Sequence, residues 1–172
     1  MPRLTPRWYQ AECVDAVIDA IQTAANVHPL AAVVTGGGKA LINAMLVERL
    51  LQLQPSARIL SLAPSMELVR QNADEAVGFW NAQLAARLGI YCAGLNMKDK
   101  LSQIIIGSPQ SVTRQVKRFG PIDYVIVDEA HTFNIDLKTA AAMVEGFQEP
   151  DAKVLFIGMT ATSFRMKALK VV

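Results

Sequence analysis

Short, almost wholly aliphatic runs punctuate this sequence, and between them apolar residues recur at every third or fourth position. Residues 30–34, 58–63, 90–94, 103–107, 124–127 and 153–158 read as strands. Residues 39–53, 66–88 with an interruption near Gly78, 109–119 and 138–147 read as helices. Thr5 followed by Pro6 reads as the cap and first residue of an opening helix carrying Ala11, Val14, Val17, Ile18 and Ile21. Strands of Val, Ile and Leu without period-two polarity are buried on both faces. Alternated with helices, they predict an α/β fold, a mostly parallel sheet sandwiched between two helical layers.

No repeat, low-complexity stretch or linker divides the 172 residues, so residues 1–172 are expected to share one core. Hydrophobic residues make up 52% and charged residues 19%, enough apolar surface to oppose chain entropy. Lys and Arg exceed Asp and Glu by 17 to 15, a net charge of +2, so a polyanion has to be gripped locally rather than by overall charge. Cys13 and Cys92 sit in apolar surroundings without metal-ligand neighbours, which points to reduced thiols and away from zinc or a disulfide framework. The uncharged stretch 20–38 carries Gln22, Asn26, His28 and three successive glycines, which argues against a membrane span. Arg3 and Arg7 are followed by no apolar signal region, so the expected location is cytoplasmic.

In a sheet of this kind ligands gather beyond the carboxyl ends of the strands. Two such segments carry phosphate chemistry. Thr35-Gly36-Gly37-Gly38-Lys39-Ala40 joins a strand to a helix, where backbone N–H groups cradle phosphates and a lysine reaches the terminal ones. About 90 residues further on, the apolar run Tyr124-Val125-Ile126-Val127 ends in Asp128-Glu129-Ala130-His131. Adjacent carboxylates at a strand end suit a nucleotide hydrolase: Asp128 to hold Mg2+ and Glu129 to act as base on the attacking water.

Together these segments resemble the superfamily 2 helicases of the DEAD/DEAH type, specifically their first RecA-like, P-loop ATP-binding domain, and the likeness extends over essentially the whole chain. Residues 35–39 match motif I, and Asp128-Glu129-Ala130-His131 is a literal DEAH motif II. Arg7-Trp8-Tyr9-Gln10 resembles the adenine-reading Q-type motif, with Gln10 on the base edge and an aromatic residue shaping the pocket. Residues 63–68 (Pro64, Ser65 and Met66 among them) resemble motif Ia, and residues 107–111 (Ser108, Pro109 and Gln110 among them) resemble a later nucleic-acid-binding segment. Gly158-Met159-Thr160-Ala161-Thr162 resembles motif III, which implies that His131 couples nucleotide state to the nucleic-acid track through Thr160 or Thr162. The run Ala93-Gly94-Leu95, residues 107–112 and residues 160–165 add a likeness to bacterial RadD-type repair helicases.

The resemblance implies ATP and Mg2+ as ligands and nucleic acid, DNA before RNA, as partner. It also implies a second RecA-like domain in cis or trans, bearing an arginine finger and absent from residues 1–172. Two departures matter. Ala40 stands where the family has a Thr or Ser hydroxyl on Mg2+, and the second domain is missing, so the piece alone is expected to hydrolyse ATP poorly. The rival reading is a non-enzymatic, helicase-like module that regulates by binding nucleic acid or protein. A small-molecule kinase would leave Gln10 and the Thr-Ala-Thr segment unexplained. Strand-positioning contacts are expected from loop N–H groups and helix starts. Arg114, Lys117 and Arg118 would lie along one face of a helix over 109–119, either meeting phosphates or solvated. His28 reads as a surface residue, and Phe79 and Trp80 read as core aromatics.

Overall fold

The central sheet of a three-layer sandwich has to be apolar on both faces, and the isoleucine-rich runs supply it. The computed structural model describes residues 4–24, 27–130, 143, 145–147 and 154–161. Its strands are β1 (Leu30–Ala32), β2 (Ile59–Leu62), β3 (Leu88–Cys92), β4 (Met97–Lys98), β5 (Ile104–Gly107), β6 (Tyr124–Val127) and β7 (Leu155–Thr160). They form one sheet in the order β1-β7-β6-β2-β5-β3-β4, parallel throughout except where β4 folds back on β3. One face, including Ile59, Ile104, Ile126 and Ile157, packs under helices α1 (Trp8–Thr23), α2 (Lys39–Leu53) and α3 (Met66–Phe79). On the other, Leu60, Leu62, Ile105 and Val125 pack with Val112, Val116, Phe119, Met143 and Phe147. The alternation along β2 alone, Ile59 one way and Leu60 the other, shows the double burial. Each such side chain contributes about 1.5–3 kcal/mol.

The α/β sandwich is as predicted; the differences are shifted element ends, two helices that break early, and the short strand β4, which the sequence reading did not include. Helix α1 starts at Trp8 with Arg7 as its cap, not at Thr5-Pro6. The cause is Gln10, whose Oε1 accepts the Arg7 N–H at 2.8 Å and closes the helix from its third position. The long helix expected over 66–88 breaks at Trp80 and Asn81 rather than at Gly78. Asn81 caps a short α4 (Ala82–Ala85) by accepting the Leu84 N–H at 2.8 Å, while Trp80 turns inward and donates Nε1–H to Ala44 O at 2.9 Å. β3 consequently begins two residues earlier than expected, and β7 begins and ends two residues later.

The helix expected over 109–119 ends as α5 (Pro109–Thr113), followed by a separate 3-10 turn, Val116–Arg118. Arg114, Lys117 and Arg118 therefore do not line one α-helical face. Val112, Val116 and Phe119 instead bend the chain onto the sheet to bury themselves. Most of the helix expected over 138–147 lies outside the described residues; Met143 and residues 145–147 are helical. Cys92 is buried and Cys13 half-buried, both as thiols. Phe79 and Trp80 are core residues as expected. Exposed His28 accepts the Phe156 N–H on Nδ1 at 3.0 Å, so it caps a strand as well as facing solvent. Among the described residues no helix is long and apolar enough to cross a membrane.

Candidate nucleotide and nucleic-acid site

The glycine loop leaves the carboxyl end of β1 and opens α2. Thr35 and Gly36 form an exposed turn, and Gly37 N–H donates back to Val34 O at 2.9 Å. Gly36 and Gly38 adopt φ of +77° and +74°, the left-handed region in which a side chain is strained. A Cβ on Gly37 would meet Val33 Cγ1 at 2.8 Å and Val34 O at 2.9 Å, so at this residue the obstacle is space. The first bond of the α2 ladder runs from Ile42 N–H to Gly38 O at 3.1 Å. The N–H groups of Lys39, Ala40 and Leu41 precede it and have no intrahelical partner, which is the geometry that receives anions.

Helix α1 braces this loop. Gln10, 4% exposed, donates Nε2–H to Gly37 O at 3.0 Å, and the Tyr9 hydroxyl donates to the same oxygen at 3.3 Å. Both ends of the Gln10 amide are thus engaged inside the protein. Arg7 and Trp8 are exposed beside it.

The acidic pair leaves β6, which is separated from β1 in the sheet by β7. The two segments nevertheless meet: Lys39 Nζ lies 2.7 Å from Glu129 Oε1 in a largely buried ion pair. Glu129 takes a left-handed φ of +49°, rare outside glycine, after which Ala130 N–H donates to Met159 O at 2.8 Å. Asp128 is 3% exposed, with Oδ1 accepting the Glu129 N–H at 2.9 Å and Oδ2 accepting from Asn72 Nδ2 at 3.3 Å. Burial is the main cause that raises the Asp128 carboxyl above its ordinary pKa. The bonds from Asn72 and Glu129 N–H pull it down, the Glu129 charge pushes it up, and the Lys39 charge pulls it down again.

The remaining expected residues divide. Ser65 caps α3 by accepting the Leu68 N–H at 3.3 Å, with Pro64 half-buried and Met66 exposed. Ser108 is turned inward: its hydroxyl donates to Ser111 Oγ at 2.8 Å, and Ser111 Oγ accepts the Ala93 N–H at 3.0 Å. Of that segment only Gln110 is exposed, with Pro109 half-buried. Thr160 ends β7 fully buried, its carbonyl accepting the Val33 N–H at 2.8 Å. His131 and Thr162 lie outside the described residues. Sequence reasoning missed Asn72, Asn43 and Ser61, all buried, the last two joined by a 2.7 Å bond. The available signal was a lone amide in the apolar face of each helix, since a polar group placed there needs a specific partner.

A mostly parallel sheet with a glycine-lysine loop after one strand and an acidic pair after another, joined by an ion pair, is the architecture of a RecA-like α/β domain. The chain belongs to the family described as type III restriction enzyme, res subunit, whose family model matches residues 3–165. Among curated protein sequences no relative matches. Among solved structures the chain is similar to the UvsW helicase of bacteriophage T4, with a TM-score of 0.69, 21% identity, and coverage of 93% of this chain and 54% of that one. It is also similar to the Pyrococcus furiosus Hef helicase domain, with a TM-score of 0.68, 24% identity, and coverage of 91% and 33%. The type ISP restriction-modification enzyme LlaGI, solved with a DNA substrate mimic, gives a TM-score of 0.63 and 15% identity over 92% and 18%. The chain thus spans about half the length of the first of these structures and less of the others. Likeness at these identities concerns the fold.

Proposed function

We propose that this chain is the ATP-binding half of a superfamily 2 translocase acting on nucleic acid, DNA before RNA, and completed by a second RecA-like domain. The observation that carries the reading is the 2.7 Å pair between Lys39 and Glu129, because it brings the ends of two non-adjacent strands to one point. The donor set fits a triphosphate with a divalent cation: free-standing helix-start N–H groups and a lysine for the phosphates, and the Asp128 carboxylate for the metal. Thr35, the three glycines, Lys39 and the Ala40 N–H would hold phosphates. Arg7 and Gln10 would border the base, with Gln10 doing so by setting the loop it already braces. Mg2+, when bound, neutralises charge on the terminal phosphates. Glu129 would exchange Lys39 for water as the lysine turns to phosphate, and would take that water's proton.

Pro64, Ser65, Met66, Pro109 and Gln110 support a strand path along the carboxyl edge of the sheet, with Ser108 contributing shape rather than its hydroxyl. His131, Thr160 and Thr162 are assigned to coupling between that path and the nucleotide. The likeness to RadD-type repair helicases belongs to the same proposal and rests on the Ala93-Gly94-Leu95 run and the segments after β5 and β7. Ala40 favours a second reading, a hydrolysis-defective regulatory module, because the first turn of α2 carries no hydroxyl for the metal.

Titration with a fluorescent ATP analogue in Mg2+ and in EDTA tests the site. The unaltered chain is expected to bind more tightly with Mg2+, Lys39→Ala to lose at least tenfold, and Ala40→Thr to gain about tenfold, the order expected of one charge-assisted contact. Equal binding by Lys39→Ala would refute the reading. Robust hydrolysis by the unaltered chain would remove the regulatory alternative.

A further inference from the structure

Asn72 sits in the middle of α3, two turns beyond the Ser65 cap, on the stripe formed with Val69, Ala73 and Ala76 that faces the sheet. It is 3% exposed. An amide there costs free energy unless bonded, and a leucine of the same size would pack at least as well. The bond it makes crosses 56 residues to Asp128 Oδ2, at 3.3 Å. Asp128 Oδ1 is already held by the Glu129 N–H at 2.9 Å. The carboxylate therefore has one donor on each oxygen, from two different elements, and its plane cannot turn without breaking one of them.

A carboxylate offers about four lone-pair positions, so two remain once both bonds are made. With the plane held, those two have one fixed direction. We propose that Asn72 is the positioning residue for Asp128: its amide holds this buried carboxylate in the orientation that receives a divalent cation alongside the nucleotide. The inference rests on the nucleotide reading above and adds a residue outside all the segments that carry the family likeness. Without the Asn72 donor, the carboxylate is tethered through Oδ1 alone and rotates. Loss of such outer partners typically lowers metal affinity 10- to 100-fold.

Asn72 also borders a cavity of about 10 Å3 shared with Ala40, Asn43 and Ser61. That space beside the side chain makes a slightly longer amide tolerable, which supplies a conservative variant.

The experiment measures binding of a fluorescent ATP analogue in EDTA, then titrates Mg2+ to find the half-saturating concentration, with thermal denaturation of each variant alongside. Asn72→Leu is expected to keep the metal-free nucleotide affinity within about twofold and to need roughly tenfold more Mg2+, and Asn72→Gln to return to within about threefold of the unaltered chain. If Asn72→Leu does not fold, Asn72→Ala, which leaves only a cavity, gives the same reading. An unchanged Mg2+ midpoint in the folded Leu or Ala variant, an equal loss with and without metal, or no recovery by Asn72→Gln overturns the inference while the nucleotide site stands. If the unaltered chain gains nothing from Mg2+, the nucleotide reading falls and this one with it.

Discussion

Arg58 sits just before the central strand β2, at the amino ends of the strands and so at the end opposite the glycine loop, and it ties three segments together. Its Nη1 donates to the carbonyls of Phe119 and Pro121, and its Nη2 donates to those of Lys100 at 2.8 Å and Ser102 at 3.4 Å. Its backbone N–H donates to Asp123 Oδ2 at 2.7 Å. Arg58→Ala removes four charge-assisted bonds, each worth about 1.5–3 kcal/mol when sealed from water. The Pro121 contact is exposed and the others only part-buried, so water recovers much of this, leaving a net cost of about 3 kcal/mol. For a chain of this length that corresponds to a fall in Tm of about 6–12 °C. Arg58→Lys should recover less than half, because one ammonium cannot fork between two loops. Thermal denaturation measures the fall, and nucleotide titration well below the transition should show unchanged affinity, since the glycine loop of the proposed site lies at the other end of the strands. A fall below about 2 °C, or full rescue by lysine, would refute the carbonyl clamp and leave only the general charge near Asp123 and Asp99.

Further outcomes follow from the loop and the turn before β5. Gly36→Ala and Gly38→Ala both force a left-handed side chain, at about 1–2 kcal/mol, but only at Gly38 does the new Cβ run into the Gln10 amide. Gly38→Ala should therefore be the more damaging to stability and to nucleotide binding, and Gln10→Ala should shrink the difference in a double-mutant cycle. Equal effects of the two alanines would contradict the brace. Asp99 accepts the Leu101 and Ser102 N–H groups on Oδ1 and the Ser102 hydroxyl on Oδ2. Burial opposes its ionisation, yet those bonds and the Arg58 charge outweigh burial and hold its pKa below the usual value. A depressed carboxyl stabilises the fold above its unfolded pKa and loses that contribution as pH falls toward the folded value. Urea midpoints of the unaltered chain and Asp99→Asn should thus differ at neutral pH and converge on acidification below about pH 4. A gap that widens in acid would reverse the assignment.

Much of this molecule is written locally. The run Tyr124-Val125-Ile126-Val127 is β6 to the residue, residues 39–53 are α2 to the residue, and the glycine turn before Lys39 lies where the sequence puts it. These survive because aliphatic runs, helical periodicity and glycine turns are short-range signals, each decided by neighbours within a few positions. The errors fall where a distant contact overrides the local preference. Trp80 ends α3 because its indole finds Ala44 O, whereas the start of α1 is set within its own first turn by Gln10 Oε1 accepting the Arg7 N–H. Phe119 and Val116 break the helix after Thr113 because the sheet offers them burial, which disperses the cation row of Arg114, Lys117 and Arg118. The chain alone therefore determines most of the strand and helix segments and the glycine turn that opens α2. Three-dimensional packing alone decides that Lys39 meets Glu129 across β7, that Ser108 faces inward and that Asn72 reaches Asp128. Such pairings join residues tens of positions apart, and no pattern within one segment encodes which distant side chain will close on it.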